Sequence, residues 1–209
     1  MAEVTAQLVK ALREKTQAGM LECKKALDEA KGNLDEAEVI LRKRGMAAAS
    51  KKATRSTKQG SVGTYIHPGS QLGVMIELNC ESDFVARTSE FQDLVKDLAM
   101  QVAAADPRFV RREEVTEDLL ARERDIARDR AKNEGKPEKI LDKIVEGRME
   151  KFYEETVLME QPFIKDNTVT VKDLIAQKIA KLGENISIAR FIRMKVGEGQ
   201  AETTEAEQA

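Results

Sequence analysis

Apolar positions in the first 56 residues recur at helical spacing. Leu8, Val9 and Leu12 share one face of a first helix, for which Thr5 is a suitable N-cap. Gly19 interrupts the pattern, and a second helix from about Leu21 carries Cys23, Ala26, Leu27 and Ala30 before stopping at Gly32. Asn33 and Glu36 have capping-box spacing, and a third helix follows with Leu34, Ala37, Ile40 and Leu41 on one side, running to Gly45. The spacing predicts a compact three-helix module over 1–45. Near residue 60 the period falls to two. Val62, Thr64 and Ile66 alternate with Gly63, Tyr65 and His67; Leu72, Val74, Ile76 and Leu78 alternate with Gly73, Met75, Glu77 and Asn79. Pro68-Gly69 suits the centre of a type II turn, so this segment reads as a β-hairpin with one buried face.

Helical spacing then returns. Phe91, Leu94, Val95, Leu98 and Val102 form a stripe that ends near Pro107. Residues 111–134 are densely charged, with opposite charges at Asp118/Arg122 and Arg130/Glu134. After Gly135-Lys136-Pro137, Leu141, Ile144, Val145, Met149 and Phe152 mark another helix, giving an antiparallel helical hairpin over about 111–158. Thr170 and Asp173 have capping spacing ahead of Val171, Leu174, Ile175, Ile179 and Leu182, with Gly183 as the stop. Ile186, Ile188, Ile192, Met194 and Val196 alternate as a last strand, with Arg190 the odd member of that face. The fold class is therefore α+β: a helical module over 1–45, a basic linker over 46–59, a core over 60–197 and an acidic tail over 198–209.

Composition narrows the chemistry. The 209 residues hold 35 basic and 37 acidic side chains, without the positive excess of a dedicated nucleic-acid binder. The single histidine, His67, rules out a His pair and zinc clusters of the usual ligand count, so no metal or cofactor site is expected. Two cysteines, Cys23 and Cys80, cannot build a disulfide framework and fit a reducing cytosol. No secretory leader is evident, and no run approaches the ~20 apolar residues of a membrane span.

Between the second strand and the strong helix lies Cys80-Glu81-Ser82-Asp83-Phe84-Val85-Ala86-Arg87, in a position where functional loops are common. Its spacing admits a structural reading, in which Asp83 caps a helix and Phe84 tucks under it, and a functional one, in which an aromatic sits at a loop tip. Two other segments invite functional readings. The run 42–58 has Arg42, Lys43, Arg44, Lys51, Lys52, Arg55 and Lys58 and no acid, as an RNA contact or a solvated linker would. It lacks interleaved aromatics for base stacking, and direct nucleic-acid binding is not expected. His67, Cys80 and Asp83 hint at Cys/His chemistry, which only geometry can support.

The loop segment resembles the TDFV stretch of the bacterial elongation factor Ts family, guanine-nucleotide exchange factors for elongation factor Tu. Leu12-Arg13-Glu14-Lys15-Thr16 and the run Ala18-Gly19-Met20-Leu21-Glu22-Cys23-Lys24-Lys25-Ala26-Leu27 resemble the family's N-terminal signature. Glu77-Leu78-Asn79-Cys80, Gly135-Lys136-Pro137, Glu146-Gly147-Arg148-Met149, Gln161-Pro162-Phe163 and Phe191-Ile192-Arg193 are similar in the same order. The resemblance implies a ubiquitin-associated-type three-helix domain, an α+β core with an antiparallel sheet, and an exchange activity without covalent chemistry. It implies that Ser82, Asp83, Phe84 and Val85 form the loop entering the partner near its Mg²⁺ and nucleotide, and that Arg13, Met20 and Leu21 touch the partner's nucleotide-binding domain. Ser82 stands where the family usually has Thr. The stretch Asp97-Leu98-Ala99-Met100-Gln101 lacks the histidine that longer members carry in a comparable helix. There is room for one core half, resembling short forms in which two copies supply the surface of one long chain.

Overall fold

The computed structural model describes residues 4–16 and 18–198, so the acidic tail beyond Glu198 lies outside the described residues. Three helices come first: α1 (Ala6–Thr16), α2 (Met20–Glu29) and α3 (Leu34–Lys52). They enclose a small core of Val9, Leu12, Cys23, Ala26, Leu27, Ala30 and Ala37. Gly32, at φ 85°, turns the chain after α2. Asn33 then caps α3, its side chain accepting from the backbone N–H groups of Asp35 and Glu36. One feature differs from the sequence expectation. α3 does not stop at Gly45; it continues to Lys52, well into the segment expected as a basic linker. Three alanines and two lysines follow Gly45, all good helix formers, and Gly45 faces Ala180 on a neighbouring helix.

The core begins with the hairpin of β1 (Gln59–Ile66) and β2 (Leu72–Cys80), joined by the expected turn, in which Ser70 donates to the His67 carbonyl and Gly69 takes φ 93°. A short turn, α4 (Asp83–Ala86), leads into α5 (Ser89–Ala105). The helical hairpin is α6 (Glu117–Asn133) and α7 (Glu138–Thr156). Two short strands, β3 (Pro162–Phe163) and β4 (Asp166–Thr170), precede α8 (Val171–Leu182) and β5 (Ile186–Lys195). The main sheet is antiparallel in the order β1-β2-β5. Its inner face packs Val74, Ile76, Leu78, Ile186 and Ile188 on Phe91, Leu94, Val95 and Leu98 of α5 and on Ile175 and Ile179 of α8. The Thr170–Asp173 capping box opens α8, and Gly183, at φ 80°, closes it.

Two strands orient differently from the simple alternation. On β1 the core-facing positions are Ser61, Gly63 and Tyr65, while Val62 and Ile66 are exposed. α5 approaches so closely that a Cβ on Gly63 would lie 2.1 Å from Val95 Cγ1. On β5 a bulge intervenes: Glu77 pairs with Arg190 but Leu78 pairs with Ile188, which leaves Ala189 as the extra residue. Alternation resumes one residue out of step. Phe191 packs against the core and Arg193 points inward to pair with Asp106 and Glu198, whereas Ile192, Met194 and Val196 face outward. The bulge is why Arg190 looked out of place.

In the helical hairpin, Leu120, Ala127, Val145 and Met149 form the apolar seam. Arg128–Asp142 and Arg148–Glu134 ion pairs, both 2.7 Å, cross between the helices, so Glu134 pairs across the hairpin rather than only along α6.

Candidate functional site

β2 delivers Cys80 into the core, fully buried, as the last residue paired with β5. The chain then turns under two successive caps. Ser82, in extended conformation, accepts from Val85 N–H at 3.4 Å and starts α4. Thr88 accepts from Phe91 N–H and starts α5. Between the caps, Ala86 is buried and Val85 packs half-buried on the main core. Those two anchors fix the rotation of the single helical turn, and Phe84 is left 80% exposed. Asp83, in the same turn, pairs with Arg87 at 3.0 Å. The reading in which Asp83 caps and Phe84 tucks under the helix is therefore corrected: Ser82 is the cap, and Phe84 points to solvent. The exposed Phe84 ring leaves about 1.5–3 kcal/mol of burial unrealised, which contact with an apolar surface would release.

The base of this loop is held by polar contacts that the sequence did not reveal. One Glu184 oxygen accepts from the backbone N–H groups of Glu81 (3.1 Å) and Ser82 (2.9 Å); the other accepts from the Ser82 hydroxyl at 2.5 Å. Glu81 in turn accepts from Asn185 N–H at 2.6 Å. Cys80 Sγ donates to the Ser82 carbonyl at 3.1 Å. Burial, with the Glu184 charge nearby, pushes the Cys80 thiol up, so it stays a protonated donor. Glu184 and Asn185 follow the Gly183 turn about a hundred residues downstream and match no motif, so only the fold brings them here.

Arg13, on α1, is exposed on the flank beside buried Leu12. Met20 and Leu21 open α2 and are 59% and 64% exposed. Cys23, one turn on, is fully buried. A further apolar surface lies on the outer face of the main sheet: Val62, Ile66, Met75, Ile192, Met194 and Val196 are all exposed there. In the sheet Thr64, Met75 and Ile192 stand abreast, and so do Ile66, Gly73 and Met194.

The competing sites come apart. His67 N–H bonds to Leu72 at one end of the hairpin, whereas Cys80 ends β2 eight residues on, roughly 26 Å away at 3.3 Å per residue. They cannot act as a nucleophile–base pair. In the basic run, Arg44 pairs with Glu22 and Glu29, and Arg55 with Glu81.

A helical module joined to an α+β core, each presenting exposed apolar side chains on an ordered frame, defines a protein built to engage another protein. The family model described as Elongation factor TS matches residues 2–198. The elongation factor Ts of Solibacter usitatus is 66% identical over 207 residues, covering 99% of this chain and 98% of its own. That of Moorella thermoacetica is 56% identical over 202 residues, covering 97% and 100%. That of Carboxydothermus hydrogenoformans is 54% identical over 202 residues, covering 97% and 93%. The chain belongs to the elongation factor Ts family. The family comprises guanine-nucleotide exchange factors that act on elongation factor Tu.

Proposed function

We propose that this chain, acting in the cytoplasm, binds elongation factor Tu·GDP and speeds GDP release by inserting the Ser82–Val85 loop beside the partner's Mg²⁺ and nucleotide. GTP then rebinds. Arg13, Met20 and Leu21 of the 1–45 module dock on the partner's nucleotide-binding domain, and the 60–197 core presents the loop. The observation that carries this reading is Phe84, an aromatic ring exposed at the tip of a loop whose base is bonded on every side.

No covalent step is needed. A bound nucleotide is gripped through Mg²⁺ and phosphate contacts that support one another. A factor that prefers the partner conformation with a weak grip lowers nucleotide affinity by the same factor that nucleotide lowers its own. Burying the Phe84 ring in such a conformation is worth about 1.5–3 kcal/mol, or roughly 10- to 150-fold in affinity between the two states. Asp83, held by Arg87, adds an oriented negative charge beside the ring, which disfavours anionic phosphate nearby.

The outer sheet face supports a second contact, between two copies of this chain. Ile66, Met75, Ile192 and Met194 gather there beside the Glu77–Arg190 pair, and a two-fold pairing of sheets would cover them.

The test is release of fluorescently labelled GDP from elongation factor Tu, with the wild-type chain and with Phe84→Ala. The variant should slow stimulated release by tenfold or more while its melting temperature stays within about 2 °C of wild type, because an exposed ring contributes little to folding. No stimulation by the wild-type chain at saturation refutes the activity; an unimpaired Phe84→Ala refutes the loop.

A further inference from the structure

β2 and β5 pair as far as Cys80 opposite Ile186, and beyond that point the ladder ends. The next two N–H groups of the loop, those of Glu81 and Ser82, would be left without strand partners. The Glu184 carboxylate takes both, and takes the Ser82 hydroxyl as well. Three donors converging on one ionised acceptor give hydrogen bonds about twice as strong as neutral ones. The hydroxyl bond has a further consequence. A serine oxygen has one proton to give; with that proton aimed at Glu184, its lone pairs face Val85 N–H and cap α4. Glu184 thus orients the cap that orients the turn that turns Phe84 outward. Its neighbour closes the arrangement from the other side. Asn185 N–H donates to Glu81, and the Asn185 side chain donates to the carbonyls of Arg55 (2.9 Å) and Ala53 (3.4 Å), at the end of α3.

We propose that Glu184, braced by Asn185, is a positioning residue for nucleotide exchange: it holds the Ser82–Val85 loop in the shape that presents Phe84 to the partner. The inference rests on the exchange-loop reading above. With the clamp in place the ordering cost of the loop is met on folding; without it, that cost falls on the encounter with the partner. The role also explains what the loop hydroxyl is for, and why Ser82 can supply it.

The experiment measures stimulated GDP release by the full chain against elongation factor Tu·GDP, as maximal rate and half-saturating concentration. Glu184→Ala should lower the maximal rate about tenfold and move the half-saturating concentration less, since Arg13, Met20 and Leu21 are untouched. Glu184→Gln keeps an acceptor for the two N–H groups but puts an amide donor opposite the Ser82 hydroxyl, so it should recover only part of the rate. In amide hydrogen exchange, Glu184→Ala should expose Glu81 and Ser82 while β2 and α5 stay protected. In a Phe84→Ala background, Glu184→Ala should cost nothing further, because it acts through that ring. Wild-type exchange by Glu184→Ala alongside a slow Phe84→Ala overturns the clamp and leaves the loop reading standing. Losses that multiply in the double variant also overturn it, as does a rate deficit that disappears on cooling below a lowered melting temperature. A normal Phe84→Ala overturns the loop reading itself. Should Glu184→Ala fail to fold, Glu184→Asp carries the same question: the shorter side chain withdraws the carboxylate from the Glu81 and Ser82 N–H groups, so it should slow release and expose those two amides to exchange, and wild-type release would refute the role.

Discussion

Gly63 tests the close approach on which the core depends. It lies on the inner face of β1 and has no positive φ, so its backbone does not require glycine. What requires it is α5: an added Cβ would sit 2.1 Å from Val95 Cγ1 and 3.5 Å from Val95 Cβ. Val95 is buried among the residues that join sheet to helix and cannot swing into solvent. Overpacking of this kind costs about 1–3 kcal/mol. Gly63→Ala also restricts the unfolded chain, which returns roughly 0.4–1 kcal/mol. Taken at the middle of both ranges, the net loss is about 1.3 kcal/mol, or roughly 3–5 °C in melting temperature for a chain of this size. Urea and thermal unfolding followed by circular dichroism would measure it. The diagnostic comparison is Gly63→Ala with Val95→Ala. The single Val95→Ala leaves a void and destabilises by roughly 2 kcal/mol, but the new alanine methyl should partly fill it, so the double variant should be less destabilised than the sum by about 1 kcal/mol or more. Well below the transitions, GDP release should stay at the wild-type rate, since the loop is untouched. A Gly63→Ala variant as stable as wild type, or strictly additive losses, would refute the steric argument.

Two further outcomes follow from surface groups. Glu90 accepts from Lys178 and Lys181, tying α5 to α8, and those two ammonium groups hold its carboxyl below the ordinary 4.5. Because the folded value is the lower one, the contribution is present above pH 4.5 and fades as acid protonates the folded form. Glu90→Gln should cost about 1 kcal/mol at neutral pH, and its stability should converge on wild type as the pH falls through the lowered range of the folded carboxyl. Ile192→Glu places a charge in the exposed outer sheet strip, so it should abolish self-association in sedimentation equilibrium with little change in melting temperature; sedimentation identical to wild type would remove the paired-sheet proposal.

Local signals predicted most elements. The caps at Asn33 and Thr170, the turn at Pro68-Gly69 and the stripe from Phe91 to Val102 are written within a few residues of where they act, and each formed as expected. Gly45 misled, because a glycine ends a helix only when its backbone turns, and here it stays helical without a positive φ. The last strand misled because a single extra residue at Ala189 reverses which side chains face the core, and alternation alone carries no trace of a bulge. For the site, the family resemblance pointed to Ser82–Val85, whereas the spacing alone favoured burial of Phe84.

The chain's own order of residues determined the helices, the hairpin and the α+β class, because periodicity and caps act over one or two turns. Tertiary structure alone decided which faces are wet, how far α3 runs and that Glu184 reaches Ser82. Those outcomes depend on contacts between residues distant in sequence, where packing distance and hydrogen-bond geometry, not local propensity, set the energy.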